Sequence, residues 1–203
     1  QVDYKGQSAL YQESGSSIGF VMLMALVVTY LVLAAQFESF IHPLVIMLAV
    51  PLAAVGALMG LKFMGLSLNI YSQIGLVMLI GLAAKNGILI VEFTNQLRDK
   101  GEAFKAALLH AAKQRLRPII MTSFSTIMSA VPLMLASGPG AESREVIGVV
   151  IFFGVAFSAV LTLFIIPMAY YWLARNTGSP LAVTNELQRL AASEVAPEVT
   201  PDK

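Results

Sequence analysis

The sequence predicts an all-α protein, a polytopic membrane helix bundle with five transmembrane helices and a short helix on the cytoplasmic surface. Hydrophobic residues make up 57% of the 203 residues and charged residues only 12%, and the mean hydropathy is +0.77. An ordinary soluble domain has about 25% charged residues. Five apolar runs are long enough to span a membrane, and most of the charges lie between or beyond them.

The five runs are defined by length and by the charged or turn residues that bound them. A spanning helix needs roughly 20 apolar residues to cross about 30 Å of hydrocarbon. The sequence contains such runs at about 18–35, 43–64, 71–93, 118–136 and 146–173. Prolines at positions 51, 132 and 167 are compatible with these spans, because neighbouring helices and hydroxyl side chains can satisfy the carbonyls that a proline frees.

Small residues recur in the second run. Gly56 and Gly60 are four residues apart in VGALMG, with Ala53 and Ala57 alongside them. This small-xxx-small pattern allows two membrane helices to approach closely. It predicts packing and implies no chemistry.

The two ends of the chain are polar and differ from the apolar region between them. Residues 1–16 have no initiator Met and no signal-peptide pattern, so we expect them to be the end of an extracytoplasmic domain and the chain to be a fragment. Residues 17–174 are predicted to form the membrane bundle. Residues 175–203 have too little apolar surface to build a core, which predicts a disordered cytoplasmic tail.

Orientation follows from the basic residues in short loops. The segment between the third and fourth runs contains six of them, Arg98, Lys100, Lys105, Lys113, Arg115 and Arg117. This segment is therefore predicted to be cytoplasmic, with the N-terminus outside and the C-terminus in the cytoplasm. Its apolar residues at 104, 107, 108 and 111 have helical spacing, which favours a short surface helix or, equally, an ordinary connecting helix.

Lys85 is the most informative residue of the third run. It lies in GLAAKNGILIVEF, far from either end of its span, where a charged side chain costs about 2.5 to 3.5 kcal/mol. We expect it to face the bundle interior. The only acid in the spans is Glu92, at a cytoplasmic edge, so the main counter-charge is predicted to lie outside this chain. A proton-relay lysine is favoured, and a permanently paired structural lysine is the alternative.

Other polar residues flank this lysine or share a stripe on the fourth run. Asn86 adjoins Lys85, and Thr122, Thr126 and Ser129 recur at i, i+4 and i+7. We predict that Thr126 and Ser129 bond to carbonyls of their own helix or join helices. Thr122 remains a candidate site residue, since a hydroxyl at this position can hold water or bond a lysine.

Several functional classes lack support in the sequence. There is no cysteine, and the two histidines are far apart, so a thiolate or a His-cluster metal site is not expected. Zinc-protease, nucleophile-elbow and phosphate-loop signatures are missing. The net charge of +1 gives no reason to expect nucleic acid. We therefore expect neither an enzyme nor a bound cofactor.

Three long segments resemble one family, the resistance-nodulation-division (RND) multidrug efflux pumps of the hydrophobe/amphiphile class. They are LAAQFESFIHPLVIMLAVPLAAVGALMG, GLVMLIGLAAKNGILIVEFTNQLRDKG and RLRPIIMTS. The resemblance extends to about residue 175, in family order and spacing, and corresponds to the last five of twelve membrane helices.

The resemblance implies a homotrimeric pump of the cell inner membrane that exchanges protons for amphiphilic drugs. A periplasmic adaptor protein and an outer-membrane channel would be its partners, and residues 1–16 would end a periplasmic domain. The remaining N-terminal part of the pump would supply two aspartates facing the lysine. The family's relay residues fall on Lys85, Asn86 and Thr122, and its cytoplasmic-side arginine on Arg115.

Alternatives of other kinds remain open at this point. A relay without its carboxylates cannot cycle protons, so the chain alone fits a non-transporting remnant or membrane scaffold as well. Within the superfamily, export of metal ions, lipids or proteins also remains possible.

Overall fold

The computed structural model describes residues 7–174. These residues form six helices, α1 (Gln7–Phe37), α2 (Ile41–Met47), α3 (Ala49–Phe63), α4 (Ile70–Asp99), α5 (Phe104–Met134) and α6 (Ala141–Leu173). Within this range there is no β-strand. Five segments are long and apolar enough to cross a membrane, and α2 and α3 together make the second of them. The predicted fold class, a five-span helix bundle, is confirmed.

The ends of the chain agree only in part with the predicted boundaries. Helix α1 begins at Gln7 and continues without interruption into the first span, so part of the segment 1–16 belongs to the same helix as that span. Its assignment to a periplasmic domain stays a prediction. The predicted tail, residues 175–203, lies outside the described residues.

The second span is broken at Leu48, between α2 and α3. Pro51 has no N–H to donate to the Met47 carbonyl, its partner in a regular helix. The chain instead tightens here, and the Leu48 N–H donates to the Val45 carbonyl at 3.3 Å, the shorter spacing of a 3₁₀ turn. The break therefore has a local cause in the sequence.

The segment predicted to form a short surface helix is the first part of α5. Helix α5 runs from Phe104 to Met134 through Pro118, so the segment and the fourth span are one continuous element. Ala107 and Ala111 are fully buried and pack with Leu97 of α4. A proline removes only one helical hydrogen bond, and the packed residues before and after it keep the helix continuous.

Helix α6 packs on α2, α3, α4 and α5, α4 packs on all five of the other helices, and α1 packs on α2 and α4. The contact between α3 and α6 uses the two glycines predicted to pack. A Cβ atom on Gly56 would overlap Phe157, and one on Gly60 would lie 2.5 Å from the Cβ of Phe153. Close helix contact at both glycines is confirmed.

Candidate functional site

Helices α4 and α5 are antiparallel neighbours joined by residues 100–103, and the candidate site lies along their contact. A capping box starts α4: the Ser72 N–H donates to Asn69 Oδ1 and the Asn69 N–H donates to Ser72 Oγ, both at 2.9 Å. Because a helix rises 1.5 Å per residue, Lys85 lies about 22 Å from the start of α4. This is the middle of the 30-residue helix.

Three of the four predicted site residues meet in one small pocket. Lys85 and Asn86 of α4 face Thr122 of α5 across it, and the other lining residues are Leu82, Ser123, Thr126 and Val155. The polar groups of the lining are one amine, one amide and three hydroxyls. Among the residues described, no group of three His, Cys, Asp or Glu side chains is placed to bind a metal.

Asn86 connects the two helices at the level of the lysine. Its Nδ2 donates a hydrogen bond to Ser123 Oγ at 3.3 Å, and the two residues are only 4% and 5% exposed. Sequence reasoning missed Ser123, because it lies outside the stripe of hydroxyls at i, i+4 and i+7. Asn86 directly follows Lys85, and Ser123 directly follows Thr122. If the two helices are paired antiparallel at Lys85 and Thr122, this adjacency is the sequence signal that could have indicated a contact between Asn86 and Ser123.

The hydroxyls on α5 bond to carbonyls of their own helix. Thr126 Oγ1 donates to the Thr122 carbonyl at 2.9 Å and Ser129 Oγ to the Thr126 carbonyl at 2.7 Å, as the sequence predicts. Thr122 Oγ1 does the same with the Ile119 carbonyl, at 3.2 Å. The Thr122 hydroxyl therefore lines the pocket with its proton directed into α5.

Lys85 lies on a side of α4 that the other helices leave uncovered. The prediction that it faces the bundle interior is not met by these five spans, since its side chain is exposed. An ion pair joins Glu102 and His110, and among the residues whose side chains the structure describes no acid is paired with the ammonium of Lys85. The exposed positions recur every three, four or seven residues and define an open face of α4, formed by Tyr71, Ile74, Met78, Gly81, Lys85 and Glu92.

Arg115 lies outside the pocket, on the same α4–α5 contact. Its guanidinium carbon is 4.2 Å from the ring centroid of Phe93, and its buried Nε has no hydrogen-bond partner among the described residues. Arg115 precedes Thr122 by seven residues, which is two helical turns or about 10 Å. The structure thus brings Lys85, Asn86 and Thr122 together and places Arg115 nearer the loop at 100–103.

The bond between Asn86 and Ser123 makes a testable contribution to stability. Ser123→Ala leaves the buried amide without its acceptor, and hydrogen bonds between membrane helices contribute about 0.6 kcal/mol on average and about 1.7 kcal/mol at most. We expect a lower midpoint of thermal unfolding for the purified protein. Ser125→Ala is the matched control, because Ser125 is exposed two residues further on. Equal midpoints for the two variants would contradict the assigned bond.

Comparison with known proteins identifies the family of this chain. Residues 1–174 match the AcrB/AcrD/AcrF family. An uncharacterized transporter of Haemophilus influenzae is 40% identical over 91% of this chain and 18% of its own length. The multidrug resistance protein MdtC of Erwinia amylovora is 36% identical over 87% of this chain and 17% of its own length.

A third relative is the toluene efflux pump membrane transporter TtgB of Pseudomonas putida, 40% identical over 87% of this chain and 17% of its own length. The chain thus spans less than one fifth of these curated relatives. The family match nevertheless includes every residue that the structure describes. The chain is therefore a multi-pass membrane protein of the AcrB/AcrD/AcrF family, within the RND multidrug efflux transporters.

Proposed function

We propose that this chain is part of a proton-driven efflux transporter that exports drugs or amphiphilic compounds by proton antiport, and that Lys85 is the cationic half of its proton relay. The observation that carries the proposal is the position of Lys85: it lies in the middle of α4, on the open face, with no described acid beside it. A charge at such a depth needs a partner. The names of the relatives, a multidrug resistance protein and a toluene efflux pump, support the transport of drugs or solvents.

The open face of α4 supports a partner helix from the remaining N-terminal part of the pump. Gly81 lies one turn before Lys85, and a Cβ atom there would meet nothing within 4 Å. A second backbone can therefore approach closely beside the ammonium. An acid carried by that helix would meet Lys85 without displacing any described residue.

The relay works through the charge of that acid. A carboxylate about 4 Å from the ammonium is stabilised by about 4 kcal/mol at the effective dielectric constant of a protein. Protonation of the acid removes this attraction. Uptake and release of a proton by the acid would therefore switch Lys85 between that acid and another partner. Asn86, anchored to Ser123, holds α4 against α5 at this level, and a rotated Thr122 hydroxyl can offer a new hydrogen bond.

Arg115 is proposed to line the path by which protons leave toward the cytoplasm. The support is its buried, unpartnered Nε among the described residues and its place two turns from the lysine on the same helix contact. A permanently charged guanidinium there can hold water by hydrogen bonds and repel protons moving back.

The rest of the assembly follows from family membership as a proposal. We infer a homotrimer in the cell inner membrane, with the N-terminus in the periplasm and the C-terminus in the cytoplasm. A periplasmic adaptor protein and an outer-membrane channel would complete the export path. The chain's role would be transport, with no enzymatic step and no bound cofactor.

Reconstitution tests the proposed function. The full-length transporter is placed in proteoliposomes with an imposed pH gradient and a fluorescent pH indicator inside. We expect an exported amphiphilic compound to speed the collapse of the gradient, because each export step admits a proton. The compound without protein is the control. A gradient that collapses at the same rate with and without the compound would favour a scaffold or a different transport mode.

A further inference from the structure

A second polar cluster lies on the buried side of α4, where α2 begins and α4 and α6 end. It contains His42 of α2, Asn95 of α4 and Tyr170 of α6, which are 1%, 5% and 0% exposed. None of them belongs to the proposed relay. Their burial is complete within this chain, whereas Lys85 is exposed on the open face.

The contacts of the cluster join three helices at one point. Tyr170 donates its hydroxyl hydrogen bond to Asn95 Oδ1 at 2.8 Å, across 75 residues of sequence. The ring of His42 packs against that of Tyr170, with centroids 5.5 Å apart, and against Phe37 of α1 at 6.0 Å. The guanidinium of Arg98 is close enough to act electrostatically on both His42 and Tyr170, and it hydrogen-bonds to Tyr170.

Three buried atoms of the cluster have no hydrogen-bond partner among the described residues: Nδ1 and Nε2 of His42, and Nδ2 of Asn95. A neutral imidazole carries one donor and one acceptor nitrogen, and a protonated one carries two donors. Both nitrogens therefore need a partner in either state. Each unmet buried polar group costs about 1–3 kcal/mol, so three together would cost a large part of the stability of a typical domain, about 5–15 kcal/mol.

The group that meets these needs must be small, since the side chains around it are at most 5% exposed. A partner must accept a hydrogen bond from the amide of Asn95. At a neutral imidazole, one ring nitrogen needs a partner that accepts and the other needs a separate partner that donates. Water does both, whereas a chloride ion only accepts. A metal cation is opposed by the amide hydrogens and by the charge of Arg98.

We propose that His42, Asn95 and Tyr170 form a buried water-binding site that joins α2, α4 and α6. Buried waters occur about once per 27 residues and make about three hydrogen bonds each to groups that otherwise lack partners. The two ring nitrogens of His42 point in different directions, so one water cannot bond both, and the three unpartnered atoms require at least two waters. The site holds the end of α4 in place ten residues beyond Lys85, and it does so independently of any transport activity.

A high-resolution structure of the full-length protein tests the site without any substitution. We expect solvent density within about 2.7–3.2 Å of a His42 ring nitrogen and of Asn95 Nδ2. Empty density at this position, in a map that resolves other buried waters, would overturn the proposal. An anomalous peak there in a crystal grown with bromide would overturn it too, because an anion would then occupy the site.

Radiolytic labelling in water enriched in oxygen-18 gives a second test. Ionising radiation splits a bound water to give a hydroxyl radical, which oxidises adjacent side chains, so Tyr170 should be labelled despite its burial. Because a buried water exchanges slowly, Tyr170 should take up the heavy isotope later than exposed tyrosines do. His42→Phe keeps a ring but removes both nitrogens, and we expect labelling of Tyr170 to fall several-fold.

His110→Phe is the matched control, because the other histidine of the chain is 50% exposed and should leave Tyr170 labelling unchanged. Unlabelled Tyr170 in the unsubstituted protein, or uptake of the isotope at the rate of exposed tyrosines, would refute the water site. Should His42→Phe fail to fold, the measurement on the unsubstituted protein still decides. Neither readout depends on proton coupling, so the outcome is independent of the proposed relay.

Discussion

Lys85→Ala in the full-length transporter is expected to abolish drug export coupled to protons while leaving the protein in the membrane at normal abundance. The ammonium is the only cation in the pocket with Asn86 and Thr122. Without the ammonium, the attraction of about 4 kcal/mol is lost. This attraction is what would make the ionised state of the acid differ from its protonated state. That energy corresponds to about a thousandfold change in the balance of two states, so little coupling should remain.

Two further variants separate a relay from a structural role. Lys85→Met keeps most of the side-chain length without the charge, and we expect it to lose coupling as fully as Lys85→Ala. Lys62→Ala is the matched control, because Lys62 is an exposed lysine in the last turn of α3. The measurements are drug-dependent proton flux and the thermal midpoint of the purified protein.

The outcome pattern is specific. A relay lysine predicts lost flux at a nearly unchanged midpoint in both Lys85 variants and normal flux in Lys62→Ala. A permanently paired structural lysine predicts a lowered midpoint as the main effect. Normal drug-dependent proton flux in Lys85→Ala would exclude the relay.

Gly60→Ala is expected to cause a large loss of stability for the addition of a single methyl group. The new Cβ would lie 2.5–2.6 Å from three atoms of Phe153, including its Cβ, which cannot move without its backbone. Overpacking of this kind typically costs 1–3 kcal/mol. We expect α3 to shift away from α6, with a lower thermal midpoint and lower abundance in the membrane.

Gly19→Ala controls for the helix propensity of the new methyl group. Gly19 lies in α1, where a Cβ would meet nothing within 4 Å, and alanine is about 1 kcal/mol more favourable than glycine within a helix. The control should therefore be neutral or slightly more stable. Equal midpoints for Gly60→Ala and Gly19→Ala would mean that the contact between α3 and α6 is looser than described.

Lys85 and His42 show what the sequence could and could not single out. Lys85 stands out in the sequence because it lies deep in an apolar run. A charged side chain at that depth has a high free-energy cost whichever helices pack around it. Whether Lys85 faces the bundle interior or an uncovered side depends on which helices pack against α4. The apolar run does not contain that information. His42 gave no sequence signal, because its neighbours Asn95 and Tyr170 lie 53 and 128 residues away along the chain.

The bounds of the spans show a similar limit. The apolar run predicted a fourth span from about 118, but α5 begins at Phe104. Lys105 and Lys113 are exposed on α5, while Ala107 and Ala111 pack inward. A hydropathy average includes all sides of a helix. It therefore falls both where a helix ends and where a helix continues with one polar side, and it does not distinguish the two cases.

The sequence by itself determined the five-span bundle and the close helix contact at Gly56 and Gly60, and it singled out Lys85 as a candidate relay residue. Each follows from a local rule: the length of an apolar run, the size of a side chain, or the cost of a charge in hydrocarbon. Only the tertiary structure decided that Asn86 bonds to Ser123, that Arg115 stacks on Phe93 and that Lys85 lies on an open face. These contacts join residues from different helices, and they depend on helix rotation and register, which packing alone establishes.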